Sequence, residues 1–382
     1  MKRKLFLMII LGMMTILCAC SAQRVSTSGD KNISGLEYEG SMKLKYAQQF
    51  AVDYYKGGYA LISIKDGDRF LVIPEDKDVP ENMDSDIKII KRPLKNVYMV
   101  STSAMDLVCA IDEEKNIRLS GTKEKDWYVD KAKEAMKSGN MLYAGKYSAP
   151  DYELILSEKC ELAVENTMIY HSPEVIDKLE NTGVPVLVEK SSYESHPLGR
   201  MEWIKMYGVL FGKEDEAEKY FDEKTKEADR VIENVEKEQN DKRKTVAFFY
   251  ITSNGAVSVR KSGDYVSKMI ELAGGEYVFK NLTDENALST MNIQMEEFYA
   301  TAKDADYLIY NSAIDGELYT MDEFIEKSSM LKDFKAVKNG DVWCTGKNMF
   351  QETTGIADMI VDINSIVNGA DGDLEYIHKL TE

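Results

Sequence analysis

The sequence predicts an α/β fold of two Rossmann-like lobes joined by a single long α-helix, with a ligand cleft between the lobes. Three observations lead there. Short apolar runs alternate with helical patterns up to about residue 198, the same alternation starts afresh at Thr245, and one uninterrupted amphipathic stretch lies between. In that stretch Ala217, Tyr220, Phe221, Ala228, Val231, Ile232 and Val235 recur at three- and four-residue spacing, with Glu, Lys and Asp on the other faces. Glu214, Asp215 and Glu216 suit the positive end of a helix dipole, and the run Lys242-Arg243-Lys244 closes the stretch. Roughly 25 residues at about 1.5 Å each reach on the order of 37 Å, enough to brace two lobes.

The chain of 382 residues is 44% hydrophobic and 30% charged, which suffices for two substantial cores. Lys2, Arg3 and Lys4 precede an apolar run from Leu5 to Leu17 that is short for a bilayer span and has the form of a secretory signal. Leu17-Cys18-Ala19-Cys20 resembles the lipobox of bacterial lipoproteins. That resemblance implies a signal peptide over residues 1–19 and a Cys20 carrying lipid such as palmitate. Residues 20–40, rich in Ser, Gly and Asp, read as the lipidated Cys and a flexible tether. Cys109, Cys160 and Cys344 then remain, an odd number that argues for buried small hydrophobes over a disulfide framework. A net charge of −18 disfavours nucleic acid as a partner, and also adhesion of the protein surface to anionic lipid, so the acyl chains would supply the membrane attachment.

Residues 41–198 are expected to form the N-terminal α/β lobe. Tyr59–Ile64 and Arg69–Ile73 read as strands joined by a hairpin turn at Lys65-Asp66-Gly67-Asp68. Strands at Val97–Ser101, Leu162–Val164 and Val186–Val188 alternate with helices at Met105–Ala110, Tyr128–Met136 and Glu174–Glu180, which implies a largely parallel sheet. Ligands of such sheets lie beyond the carboxyl ends of the strands. Ser103, Lys146, Tyr147, Met168, Tyr170 and Tyr193 stand just after these strands and are the binding candidates of this lobe. Ser103 also fits a helix N-cap.

Residues 199–240 hold the linking helices, and 241–382 the C-terminal α/β lobe. Thr245–Ile251 is a buried-strand run, Val257–Val259 a short strand ending at Arg260, and Tyr265–Ala273 a helix closed by Gly274-Gly275. A helix near Met295–Ala302, strands at Tyr307–Tyr310 and Val342–Cys344, and a final helix at Ile356–Val367 follow. The strand ends expose Asn254, Arg260, Asn311, Phe350 and Gln351 as candidates. A guanidinium at Arg260 would hold a carboxylate, phosphate or amide oxygen through two parallel hydrogen bonds, or serve as a surface salt bridge.

Several segments carry a wider resemblance. Ala144-Gly145-Lys146-Tyr147, Tyr152-Glu153, Lys178-Leu179-Glu180 with Gly183-Val184-Pro185-Val186, His196-Pro197-Leu198-Gly199-Arg200 with Trp203, and Glu271-Leu272-Ala273-Gly274-Gly275 resemble the solute-binding components of ABC importers for iron–siderophore complexes, haem and cobalamin. The resemblance runs from about Phe50 to Val367. It implies small lobe movements, a cleft largely formed before ligand arrives, a monomer, and delivery to an ABC permease with its ATPase. It also implies lipid anchoring at the outer face of the cell membrane, as in Gram-positive bacteria. Permease docking in the family uses one acidic residue per lobe. Glu153 matches on the first lobe, whereas Lys268 stands at the second-lobe position, leaving Asp264 or Glu271 as substitutes.

The ligand is then a ferric siderophore, haem or cobalamin. Haem would take Tyr170 or His171 as axial ligand. Direct coordination of a metal ion is disfavoured, since His171, His196 and His378 fall in three regions. No nucleophile elbow, phosphate-binding glycine loop or zinc-protease helix motif occurs, so no catalytic residue and no enzymatic activity are expected, and no cofactor of its own. The alternatives to this reading are a lipid-anchored sensor or adhesin domain using the same cleft, or a direct metal-ion binder.

Overall fold

The structure is a computed structural model describing residues 33–238, 242–283, 290–372 and 374–382. The leader and Cys20 lie outside the described residues.

Strand and helix alternate after Arg92 as the apolar spacing predicts. The first lobe contains β6 (Val97–Met99), α1 (Thr102–Ala110), β7 (Ile117–Ser120), α2 (Asp130–Lys137), β8 (Leu142–Tyr143), the small hairpin β9 (Gly145–Lys146) and β10 (Ala149–Pro150), α3 (Tyr152–Ser157), β11 (Ala163–Asn166), α4 (Pro173–Asn181) and β12 (Val186–Glu189), with β1–β5 preceding them in the chain as described below. Its sheet has the order β12-β11-β6-β7-β8, and every pairing in it is parallel. Strands β6 and β12 are buried along their whole length, which is why they read as continuous apolar runs.

The second lobe contains β13 (Thr245–Ile251), β14 (Val257–Arg260), α8 (Tyr265–Leu272), β15 (Glu276–Tyr277), β16 (Thr290–Ile293), α9 (Met295–Ala302), β17 (Tyr307–Tyr310), α10 (Ser312–Asp315), α11 (Met321–Lys327), α12 (Lys335–Asn339), β18 (Val342–Thr345), α13 (Ile356–Val367) and β19 (Ile377–Lys379). Its sheet runs β16-β14-β13-β17-β18-β19, with β15 beside β13. The parallel centre β13, β17 and β18 is flanked by antiparallel β14, β16 and β19. No strand is shared with the first lobe among the described residues.

A third sheet precedes both lobes and corrects two sequence-based boundaries. The hairpin forms as expected, but β1 (Tyr38–Ser41), β2 (Phe50–Tyr55), β3 (Tyr59–Ile64), β4 (Arg69–Pro74) and β5 (Ile87–Arg92) make their own five-stranded sheet outside the first-lobe layer. Pairing is antiparallel up to β4 and parallel between β4 and β5. Alternation along β3 and β4 explains the separation. Ile62, Phe70 and Val72 face the main core, while Leu61, Leu71 and Ile73 pack with Ile33, Tyr55 and Ile87 on the other face. The expected tether over 20–40 is therefore too long, because Ile33 is buried and β1 begins at Tyr38.

Three helices join the lobes: α5 (Pro197–Glu202), α6 (Ile204–Phe211) and α7 (Glu214–Lys237), the last being the 24-residue strut. Gly212 turns the chain in the left-handed region at φ 69°, and Gly208 lets α6 and α7 meet. A Cβ at Gly208 would lie 2.8 Å from that of Ala217. The strut buries Ala217, Phe221, Thr225, Ala228 and Val231, packs on α6 and on α13, and pairs Lys224 with Asp358 of the second lobe. Cys109, Cys160 and Cys344 are free and buried, as expected of small hydrophobes.

Two outcomes follow. Phe221→Ala removes a ring buried at the centre of the strut, and its expected cost is about 3–5 kcal/mol, read from urea unfolding midpoints. Glu165 on β11 has both carboxylate oxygens buried without a hydrogen-bond partner among the described residues, and burial pushes its pKa up from 4.5 to about 8. Its neutral form therefore contributes stability that is complete below about pH 4.5 and lost as pH rises through 8. Glu165→Gln is expected to melt with the parent below about pH 4.5 and progressively above it as pH rises from there to about 8, with a constant gap beyond; parallel melting curves would refute this.

Candidate ligand cleft

The carboxyl ends of the two sheets face a cleft of about 450 Å³. Ser192, just after β12, and Arg200 of α5 line it from the first-lobe side. Tyr250, Arg260, Asp264, Tyr265, Thr290, Asn311, Ile314 and Phe350 line it from the second.

Local structure fixes each of the polar groups. Pro197 occupies the first turn of α5, so the helix starts abruptly and delivers Arg200 about one turn later. Arg260 ends β14, and the hydroxyl of buried Tyr277 holds its backbone from both sides. That hydroxyl accepts from the Arg260 N–H at 2.9 Å and donates to its carbonyl at 3.0 Å. Asn311 follows β17 directly and uses its side-chain oxygen to cap α10, accepting from Ala313 N at 3.2 Å.

Both guanidiniums are backed by aromatic rings. Arg200 lies 4.1 Å from the Tyr265 ring centroid, and Arg260 lies 5.0 Å from that of Phe350. The Asp264 carboxylate stands 3.5 Å from Arg260 Nη1 and caps α8 by accepting from Val266 N at 2.9 Å. Burial pushes the Asp264 carboxyl up, and Arg260 and Arg200 oppose that shift. Behind the cleft, fully buried Glu189 accepts from Ser191 N at 2.9 Å and from Ser101 Oγ at 3.2 Å, with burial raising its pKa. Arg200 Nε is buried without a hydrogen-bond partner among the described residues. Two cations against one carboxylate make the lining positive in a chain of net charge −18. The arrangement suits an anionic ligand with a flat or apolar face.

Of the sequence-predicted residues, the cleft brings together Arg260, Asn311 and Phe350. Tyr170, Met168 and Tyr193 are exposed on the short turns after β11 and β12, with Tyr193 adjacent to the cleft-lining Ser192. His171 is exposed on the same turn as Tyr170. Lys146 and Tyr147 belong to the β9–β10 hairpin, where Tyr147 packs against the first-lobe core. None of these six lines the cleft.

Four more of the predicted residues have other contacts in the structure. Asn254 is exposed in the turn after β13 and spends its side-chain oxygen on Thr252, so it is a turn residue. Gln351 bridges the lobes, its oxygen accepting from Tyr128 N at 2.8 Å and its amide donating to Asp126 O at 2.9 Å. Ser103 also serves the lobe contact, its carbonyl accepting from Thr353 Oγ1 at 2.9 Å. Asp264 is 4% exposed and faces Arg260, so it is not a surface for a permease to meet. Glu271 is half-exposed and paired with Lys268, whereas Glu153 is exposed in the first turn of α3. Arg200 is a further lining residue that strand-end positions do not indicate: it lies in His196-Pro197-Leu198-Gly199-Arg200 and projects from helix α5.

Comparison with known proteins agrees with this layout. The uncharacterized lipoprotein MJ0878 of Methanocaldococcus jannaschii is 28% identical over 341 residues, covering 84% of this chain and 79% of the relative. A periplasmic haem-binding protein from Pseudomonas aeruginosa superposes with a TM-score of 0.58 at 15% identity, covering 75% of this chain and 98% of that one. An ABC-type Fe3+-hydroxamate transport protein from Saccharomonospora viridis gives 0.54 at 17% identity, covering 73% and 94%. At such identities the likeness speaks for the fold. Residues 97–349, from β6 to just past β18, match the periplasmic binding protein family; with two α/β lobes, a bridging helix and an interlobe cleft, the chain belongs to that family.

Proposed function

We propose that this protein is the extracytoplasmic solute-binding component of an ABC importer, capturing an anionic iron complex between its lobes and delivering it to a membrane permease. The observation that carries the ligand class is the pair Arg200 and Arg260 in the interlobe cleft, each guanidinium backed by an aromatic ring. Planar guanidiniums bind acid oxygens bidentately, and the rings offer flat apolar contact to a chelate or a porphyrin. Ferric siderophores bearing acid groups and haem with its propionates both meet that description. Cobalamin presents mainly amides and is the poorer partner for two cations.

Within this reading, haem through an axial Tyr170 or His171 is the less supported choice, because both residues stand exposed outside the lining. The relative named a lipoprotein supports anchoring, and the lipid would sit on Cys20 and hold the protein at the outer face of the membrane. Glu153 is the first-lobe candidate for docking on the permease, and Glu271 the second-lobe one. The ATPase would act through the permease. Binding and delivery need no catalytic group.

A thermal-shift panel of carboxylate and hydroxamate ferric siderophores, haemin and cobalamin tests the ligand class. Stabilisation by an acid-bearing iron complex is expected, and silence across the panel would remove it. Arg260→Lys keeps the charge beside buried Asp264 but loses the fork. Capture is expected to weaken about tenfold or more, with the melting temperature of the free protein nearly unchanged. An unaltered affinity would assign Arg260 to the Asp264 pair alone.

A further inference from the structure

We propose that the N-terminal β-sheet is a clamp on the segment from β12 to α5, with Lys190, Glu194 and Glu202 as positioning residues that hold Ser192 and Arg200 at the cleft. This rests on the reading of that cleft as the ligand site.

All three residues are charged, buried and turned away from the cleft toward backbone of the N-terminal sheet and the strap that enters it. The carboxylate of Glu202 accepts from three consecutive backbone groups, Lys45 N at 2.8 Å, Tyr46 N at 2.7 Å and Ala47 N at 2.9 Å. Glu194 takes the next two, Gln48 N at 2.8 Å and Gln49 N at 2.9 Å, and also Trp203 Nε1 at 2.9 Å. Lys190 donates to the β3–β4 turn, at 2.7 Å to Lys65 O and 2.9 Å to Asp66 O. Between these grips the Tyr46 ring stacks on His196 with centroids 4.3 Å apart. Gly199 completes the contact, since a Cβ there would lie 3.1 Å from Tyr46 O.

The clamped stretch is the one that carries Ser192 and Arg200 into the cleft lining. Arg200 and Glu202 share the short helix α5, so the carboxylate that secures the strap also fixes the backbone from which the guanidinium projects. A six-residue helix has little stiffness of its own, and its position is set by what holds its ends. A buried carboxylate with three N–H donors is well satisfied, and neutralising it leaves those donors facing a group that accepts more weakly.

Residue-resolved phenylglyoxal labelling of the full chain, followed by mass spectrometry, tests the clamp without any ligand. Arg260 lies on the second lobe beyond the clamp and serves as the internal reference. In Glu202→Gln the labelling rate of Arg200 is expected to rise about threefold or more relative to Arg260, as local opening of α5 exposes the guanidinium. Lys190→Met, which keeps the apolar stem, is expected to shift the ratio the same way by a smaller factor. If Glu202→Gln unfolds and both arginines accelerate together, the Lys190→Met ratio decides. A ratio equal to the parent's in the folded variants overturns the clamp, whatever the ligand panel shows.

Discussion

The interaction on which the rest depends is the satisfaction of buried carboxylates at the foot of the linking helices. Glu202 and Glu194 are 0% and 2% exposed, in surroundings where an unpaired charge would be prohibitive. Each is paid in backbone N–H groups, five in succession from Lys45 to Gln49, with Lys205 Nζ and the Trp203 indole completing the two sets. The strap has no regular secondary structure of its own at these residues, so the same contacts meet its need for acceptors. Removing either side would strand the other, which binds the N-terminal sheet to the junction of the lobes.

From that junction the strut α7 runs between α6 and α13, and a second set of contacts closes the opposite side. Gln351 reaches Asp126 and Tyr128, Thr353 reaches Ser103, and Thr354 N donates to Asp106 at 2.7 Å. Burial pushes Asp106 up to about 6, the mark of a carboxyl drawn into the lobe interface. A helical bridge on one side and hydrogen bonds on the other join the lobes around the cleft.

The cleft itself inverts the electrostatics of the molecule. A chain of net charge −18 concentrates Arg200 and Arg260 where the sheets end, with Asp264 nearest Arg260 and interacting with both. Low-dielectric walls of Tyr265, Phe350 and Ile314 strengthen the field of those guanidiniums at short range, while the acidic exterior repels anions that have not entered. Selectivity on this view comes from the match between acid groups and guanidiniums, and from the fit of the flat face to the rings.

What the sequence determined by itself is what depends on local periodicity. The parallel strands β6, β11, β12, β13, β17 and β18 read as apolar runs because both faces are buried, and α7 read as a strut because its apolar residues keep helical spacing over 24 positions. Arg260, Asn311 and Phe350 were legible because ligand sites of parallel sheets gather at strand ends. Tertiary structure alone decided the remainder. A strand pattern does not say which sheet it joins, so β3 and β4 looked like part of the first lobe and proved to belong to a separate one. Equally, one polar residue at a strand end looks like another until its partner across the lobes is known. That is why Gln351 became a bridge, Asp264 a buried counter-charge, and Arg200, displaced onto a helix, a wall of the cleft.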